Sequence, residues 1–413
     1  MKYFSDCHFH ALTLNEPDFS ALITSFYDSA SGLLAANAAP GYIITPQMMK
    51  GTTFLDTLSN TLMAFTRPID EIFMMIEDDL EGLYSSKEKH AYAPILPYIH
   101  DGKMHIRGME AEKIIMMPLL IDFSSRFSSN ENTYYTAGAE DRITPYVKAT
   151  IKGIKEYYRK RPNGLFEFYP FLGINPIMHS MDSMKKLITK HVNTSHKMHQ
   201  DHQLPSKPFY GIKIYPPLSF TPWPEDEETL GKHEWLYGFC ENNRVPIITH
   251  TDDQGFRGTT AEDAWERTNP AAWRPVLEHY PDLVISFAHF GKQYSLTSRS
   301  NVKSIAQRYS HHPDSPWFYE IISLMKDYPG VYADLSFSGC THEFYSSLHR
   351  YLEDSGEERE RIVSRILFGS DFAVNLLKVE SYTQYISIFE HSAFTEQEME
   401  TILSDNMLRF MGF

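Results

Sequence analysis

The chain opens with Tyr3-Phe4-Ser5-Asp6-Cys7-His8-Phe9-His10, a short apolar run that ends in two histidines spaced by one residue. Side chains two apart on a strand share a face, so a strand here points His8 and His10 together and sends Cys7 and Phe9 toward a helix layer. Two imidazoles from one strand can grip one metal ion. Alone, a His-x-His pair is a weak signal that arises by chance. Its weight depends on whether the rest of the chain supplies a scaffold and further ligands.

Seven more apolar segments follow, at 113–123, 165–173, 209–215, 245–251, 283–290, 331–337 and 366–372. Most are continuously apolar, as strands buried on both faces are. Amphipathic helical patterns lie between them, for example at 261–280 and 317–328. Strands that alternate with helices imply a parallel sheet, and eight such units close a ring. The expected fold is therefore α/β, a (β/α)8 TIM barrel formed by residues 1–413 as one domain. The reactive-looking residues fall at the C-terminal ends of the strands, where barrel enzymes place their chemistry.

Some stretches depart from an even repeat. Residues 40–108 are too many for one crossover, and helix-like patterns at 54–66 and 69–84 predict a helical cap inserted between strands 1 and 2. The methionines there read as packing residues, since Met fills irregular gaps. The His-rich stretch 191–202 reads as a surface loop, able at most to bind metal adventitiously. Residues 395–413 carry Met399, Ile402, Leu403, Met407, Leu408 and Met411 at helical spacing and should pack back on the barrel.

Composition narrows the function classes. With 413 residues, 42% of them hydrophobic, the chain can bury a large core, which excludes disorder and disulfide-stapled miniproteins. Lys and Arg number 38 against 53 Asp and Glu, and the net charge of −15 repels phosphate backbones, so nucleic acid is not an expected partner. A local cationic pocket remains compatible with that charge. The three cysteines, Cys7, Cys240 and Cys340, form no CxxC pair and read as reduced thiols. No leader-like apolar stretch opens the chain, and no apolar run reaches the roughly 18 residues that span a bilayer. The expectation is a cytoplasmic protein with a small-molecule substrate and no membrane partner, with homo-oligomerisation left open.

Three further strand ends raise the metal reading of His8 and His10. Thr249-His250-Thr251-Asp252 closes the fifth strand, Ala288-His289-Phe290-Gly291 the sixth, and Gly369-Ser370-Asp371-Phe372 the eighth. Singly, each His or Asp would be read as satisfying a hydrogen bond or capping a helix. Together they supply imidazole and carboxylate, the ligand types that Zn²⁺ and similar divalent ions take in open catalytic sites.

The ordered pattern resembles the amidohydrolase superfamily, and DxHxH at the start of the chain resembles its amidohydrolase-related (family 2) branch. The resemblance spans most of the chain: His8 and His10 at strand one, Lys213 at strand four, His250 at strand five, His289 at strand six and Asp371 at strand eight. It implies a metal-dependent hydrolase. Lys213, in Gly-Ile-Lys-Ile-Tyr-Pro-Pro, is similar to the lysine that dihydroorotase and phosphotriesterase carboxylate into a bridging ligand. A protonated lysine cannot ligate a metal, whereas an anionic carbamate can span two. In that two-metal arrangement His8, His10 and Asp371 hold one ion, His250 and His289 the other, and carboxylated Lys213 bridges them. In the one-metal arrangement of many family 2 relatives, His8, His10, His250 and Asp371 suffice, His289 orients water or polarises substrate, and Lys213 is a charged neighbour. An ordinary ion pair for Lys213 is the third alternative. Zinc is the expected metal, as one or two ions, with Mn²⁺ or another divalent ion as the alternative.

By the same resemblance Asp371 shuttles the proton, from attacking water to leaving group, in hydrolysis of an amide, cyclic amide, lactone or ester. Arg257 and Lys292 are candidates to anchor a substrate carboxylate, and Tyr215 and Ser336 are weaker substrate contacts. The runner-up is a single-metal non-oxidative decarboxylase or hydratase of an aromatic or unsaturated acid. A metal-dependent phosphoesterase is disfavoured because TatD-type nucleases carry Glu where Lys213 stands. A non-catalytic scaffold would have lost ligands that this chain retains.

Overall fold

The computed structural model describes residues 1–13, 64, 66–83, 97–124, 143–199, 201–252, 261–293 and 315–413. The described strands are β1 (Phe4–Phe9), β2 (Ile99–His100), β3 (Lys103–Ile106), β4 (Met109–Ala111), β5 (Ile114–Pro118), β6 (Phe166–Phe168), β7 (Phe171–Gly173), β8 (Gly211–Ile214), β9 (Ile247–Thr249), β10 (Ile285–Phe287), β11 (Val331–Asp334) and β12 (Ile366–Leu367). Strands β1-β5-β6 form one sheet and β12-β11-β10-β9-β8-β7 another, and every pairing in them is parallel. Each of the eight apolar segments holds one of these strands, with β6 and β7 sharing the third. The architecture is α/β with parallel sheets, as the alternating pattern predicts.

Backbone hydrogen bonds extend beyond the two sheets. The Cys7 N–H donates to the Phe368 carbonyl at 2.9 Å and the Ser370 N–H to the His8 carbonyl at 3.0 Å, which ties β1 to the segment after β12. The Leu120 N–H donates to the Phe171 carbonyl at 3.1 Å, which ties the end of β5 to β7.

Helices cover one face of the strands. Helix α1 (Ile69–Leu80) follows Pro68, carries Asp70 and Glu71 in its first turn, and buries Ile69, Ile72, Phe73, Ile76 and Leu80 at helical spacing. It packs on α2 (Thr144–Lys160), where Gly153 permits close approach: a Cβ there would lie 2.5 Å from Ile69 Cγ2. Phe73 of α1 meets Phe9 of β1 and Phe168 of β6 at ring distances of 6.0 and 4.3 Å. The described part of 40–108 thus places α1 against β1 and β6, and it includes the antiparallel ribbon β2-β3-β4. The predicted helix at 54–66 lies almost wholly outside the described residues.

A second apolar cluster fills the opposite face, with Ile115, Met117, Ile248, Tyr332 and Leu367 packed on Met407, Phe410 and Met411 of the closing helix α3 (Asn406–Met411). The C-terminal segment thus packs back on the strands as its spacing predicts. Cys7 belongs to this inner cluster, not to the helix side. The reason is a break of register between Asp6 and Phe9: three residues of β1 advance against two of β5, which resets the alternation. Cys7, Cys240 and Cys340 are all buried thiols, free of disulfides.

The His-rich stretch is more firmly held than a surface loop. His199 stacks on Tyr169 and His202 on Tyr158, at 4.5 and 4.6 Å, and the His202 backbone N–H donates to buried Glu167 at 3.2 Å. Among the described residues no helix is long and apolar enough to cross a membrane.

Gly369 sets the approach of the eighth segment to the first. A Cβ at this position would lie 2.7 Å from His8 Cβ and 3.2 Å from the His8 nitrogen. Gly369→Ala should destabilise the fold by about 1–3 kcal/mol, the usual range for overpacking. A urea midpoint unchanged from the parent protein would show that β1 and this segment are not in fixed contact.

Candidate metal centre

His8 and His10 leave β1 on the same side despite the register break, and their Nε2 atoms stand 3.3 Å apart. Asp371 Oδ1 lies 3.6 Å from His8 Nε2 and 3.4 Å from His10 Nε2. These three edges suit one ion well. Ligand bonds of about 2.0–2.1 Å in tetrahedral array put donor atoms about 3.3 Å apart. The remote nitrogens are held so that the near ones face inward: His10 Nδ1 lies 2.8 Å from the Leu119 carbonyl and His8 Nδ1 2.9 Å from Asp334 Oδ2. A carbonyl can only accept, so Nδ1 of His10 carries the proton and Nε2 offers its lone pair.

Burial completes the preparation. His8 is fully buried and His10 nearly so. Loss of solvation, then the ammonium of Lys213, drives the His8 imidazole well below its ordinary value and that of His10 to about 3. Both rings are neutral near pH 7, the state that binds cations. Burial pushes the Asp371 carboxyl well above the carboxylate range, opposed chiefly by Lys213. A divalent charge would reverse that penalty.

Lys213 comes from β8, its Nζ 3.5 Å from His8 Nε2. Burial pulls its ammonium down to about 8, with Asp334 and Asp371 opposing. His250 follows β9 and His289 follows β10, and His289 Nε2 meets His250 Nδ1 at 3.2 Å, a second pair at ligand spacing. The His8 and His289 rings lie 5.0 Å apart, so the two histidine pairs adjoin. Tyr215 stacks on His250 with ring centres 4.2 Å apart.

Asp334 belongs to no motif that marks it in the sequence. It is fully buried at the end of β11. Its Oδ2 faces His8 Nδ1, while its Oδ1 accepts from the backbone N–H groups of His289 and Ser336, each at 3.1 Å. With both oxygens so engaged, Asp334 orients two of the histidines and is poorly placed to be a ligand itself. The available signal was the alternation Tyr332-Ala333-Asp334-Leu335-Ser336, which sets Asp334 and Ser336 on the inner face. Ser336 Oγ reaches His8 Nδ1 at 3.1 Å and His289 Nδ1 at 2.9 Å.

Asp6, the first residue of the DxHxH run, ties the site to the eighth segment. Its carboxylate accepts from the Ser370 N–H at 3.0 Å, the Ser370 hydroxyl at 2.5 Å and the Tyr382 hydroxyl at 2.9 Å. Backbone strain concentrates in the same places. Asp371 has φ 61°, and His289, Phe290 and Gly291 have φ 59°, 52° and 68°. Left-handed conformations cost about 1–2 kcal/mol per non-glycine residue, and here they aim side chains that a regular strand would not.

Of the expected substrate contacts, Lys292 is buried three residues beyond His289, its ammonium 4.4 Å from the centre of the Phe337 ring. Arg257 lies outside the described residues.

Comparison with known proteins follows the same lines. A family model described as amidohydrolase matches residues 201–413. No curated protein matches the chain. Among solved structures, 5-carboxyvanillate decarboxylase from Novosphingobium aromaticivorans, in complex with manganese and 4-hydroxy-3-methoxy-5-nitrobenzoic acid, is similar over 100% of this chain and 96% of that one, with a TM-score of 0.51 at 9% identity. An uncharacterised TIM-barrel protein from Bordetella bronchiseptica covers 99% and 98%, with a TM-score of 0.49 at 14% identity. A zinc-bound amidohydrolase from Burkholderia multivorans covers 100% and 99%, with a TM-score of 0.46 at 10% identity. At such identities the likeness to the decarboxylase speaks for the fold alone.

Three substitutions separate ligand from orienting roles. His8→Asn and Asp371→Asn should each remove stoichiometric metal, measured by elemental analysis after dialysis against zinc. Asp334→Asn should keep the ion but weaken it about 10–100-fold, the usual effect of losing a partner behind a ligand. Full metal content in both ligand variants would contradict the assignment.

Proposed function

The chain belongs to the amidohydrolase family, and from that premise we propose a metal-dependent hydrolase that attacks an amide, cyclic amide, lactone or ester carbonyl of a small substrate. The observation that carries the reading is the His8–His10–Asp371 triangle, whose edges of 3.3 to 3.6 Å match one divalent ion. The scaffold in this reading is a closed (β/α)8 barrel. The bonds Cys7–Phe368 and Leu120–Phe171, which run between the two sheets, support that closure. Zinc or manganese fits nitrogen and carboxylate donors alike.

When bound, the ion polarises the substrate carbonyl and lowers the pKa of water to about 7. Asp371 takes the proton of the attacking water and returns it to the leaving group. Its position, within 3.6 Å of both His8 Nε2 and His10 Nε2, suits it to carry that proton for part of the cycle. His289, with Nδ1 fixed by the Ser336 hydroxyl, orients the carbonyl or joins His250 as a ligand pair. Tyr215 flanks His250, and Lys292 and Arg257 are proposed to hold the substrate's anionic end.

Lys213 is proposed to react with CO₂ as a free amine, forming a carbamate and releasing a proton. Its value of about 8 makes the amine accessible near neutrality. Lys213→Ala should then lose most turnover, and short carboxylates should restore part of it. Reconstitution of metal-free protein with zinc should be speeded by bicarbonate, more so one unit above about 8 than one unit below, because the amine is neutral only on the alkaline side. If neither acetate nor bicarbonate has any effect, Lys213 acts as a plain cation.

The decarboxylase reading is tested alongside. Metal-loaded protein is offered a panel of amides, lactones and aromatic acids, with ester or amide cleavage and CO₂ release followed separately. Hydrolysis abolished by chelation and restored by metal is the expected result. CO₂ release without any hydrolysis would overturn it.

A further inference from the structure

We propose that Asn175 and His179 form a hydrogen-bond-accepting subsite on the rim that carries the histidines, so that the substrate is an amide or cyclic amide recognised through its N–H. This rests on the hydrolase reading above and narrows its substrate class, separating amides from esters and lactones. The cluster is built where the second, third and fourth strand segments end. Asp122 lies four residues past β5, Asn175 two past β7 and Leu218 four past β8. The strands run parallel, so these positions share the end that holds His10, one residue past β1. The Leu119 carbonyl, 2.8 Å from His10 Nδ1, is three residues before Asp122, and the Ile174 N–H donates to the Lys213 carbonyl at 3.0 Å.

Asp122 is buried and anchors both residues. Its Oδ2 accepts from the Asn175 backbone N–H at 3.1 Å and from His179 Nε2 at 2.8 Å. Its Oδ1 accepts from the Ser124 N–H at 3.2 Å and from the Ser124 hydroxyl. A carboxylate only accepts, so the neutral His179 ring carries its proton on Nε2 and offers a lone pair at Nδ1. The Asn175 side-chain nitrogen donates to the carbonyls of Ser124 at 3.0 Å and Leu218 at 2.9 Å, which leaves Oδ1 as an acceptor.

Asn175 and His179 are only 3% and 6% exposed, yet neither Asn175 Oδ1 nor His179 Nδ1 has a hydrogen-bond donor among the described residues. Buried polar atoms are nearly always paired, because they have given up water. Two acceptors on residues anchored to one carboxylate oxygen complement a group that brings N–H donors. The oxygens of an ester or lactone bring only further lone pairs. Gly173 lets the two strand ends meet: a Cβ there would lie 2.5 Å from the Leu120 carbonyl oxygen and 2.7 Å from the Asp122 nitrogen. The anchor is thereby fixed by the backbone rather than by the ligand.

The test titrates full-length protein, zinc-loaded and metal-free, with two lactams, 2-piperidone and 2-pyrrolidone, by calorimetry. Each is compared with the ketone of the same ring size, cyclohexanone or cyclopentanone, which has CH₂ in place of N–H. At least one lactam should bind about tenfold tighter than its ketone, since a site built for a donor rejects the analogue that lacks it. His179→Gln puts an amide nitrogen in place of Nε2 and has no atom at Nδ1, and Asn175→Leu removes Oδ1. Each should reduce the preference to within about threefold, the loss of a single hydrogen bond's worth of selectivity. Zinc content, read by elemental analysis, should stay unchanged in both variants. Should Asn175→Leu fail to fold, His179→Gln decides alone. If the parent takes up no zinc, the metal reading fails, and a lactam preference in metal-free protein that the variants lose still supports the subsite. Equal binding of lactam and ketone by the parent, no lactam binding at all, or a preference unchanged in His179→Gln overturns it.

Discussion

The contact between His8 and Asp334 is the constraint from which the rest of the centre follows. A fully buried imidazole with one nitrogen 2.9 Å from a buried carboxylate has its ring plane and its proton settled together. The other nitrogen must then face His10, Asp371 and Lys213. The second oxygen of Asp334 takes the backbone N–H of His289, so the same carboxylate also positions the turn that carries His289. One side chain thereby couples strands 1, 6 and 7 of the parallel array, and the site inherits the rigidity of the sheet.

That arrangement is costly without a cation. Neutral histidines, a carboxyl raised by burial and an ammonium lowered by it crowd into one desolvated volume. A divalent charge would reverse the shift of the carboxyl and deepen those of the rings and the amine, because a cation favours the ionised carboxylate and the unprotonated ring. Left-handed backbone at His289 and Asp371 adds strain that regular strands avoid. Fold stability is drawn on to hold the candidate ligands in place.

Much of this was legible in the sequence, for physical reasons. Strands buried on both faces read as uninterrupted apolar runs, so all eight segments were visible, and the polar residue that ends each run marks the rim. His8, His10, His250, His289, Asp371 and Lys213 stood out because their chemistry is conspicuous at such positions. Asp334 did not, since one carboxylate after Val-Tyr-Ala looks like any strand end until its partners are known. Cys7 lies on the face opposite to the one that plain alternation predicts, because a register break leaves no local sequence mark. The spacing at 69–84 predicts a helix but not what it packs on; that Phe73 meets Phe9 and Phe168 is a tertiary choice.

The most direct measurement is X-ray absorption at the metal edge of zinc-loaded protein. The account predicts a shell of nitrogen and oxygen at about 2.0–2.2 Å with the outer-shell scattering of at least two imidazoles, and no sulfur at about 2.3 Å. A sulfur shell, which would implicate a cysteine such as Cys7, or a spectrum lacking imidazole scattering, would contradict it.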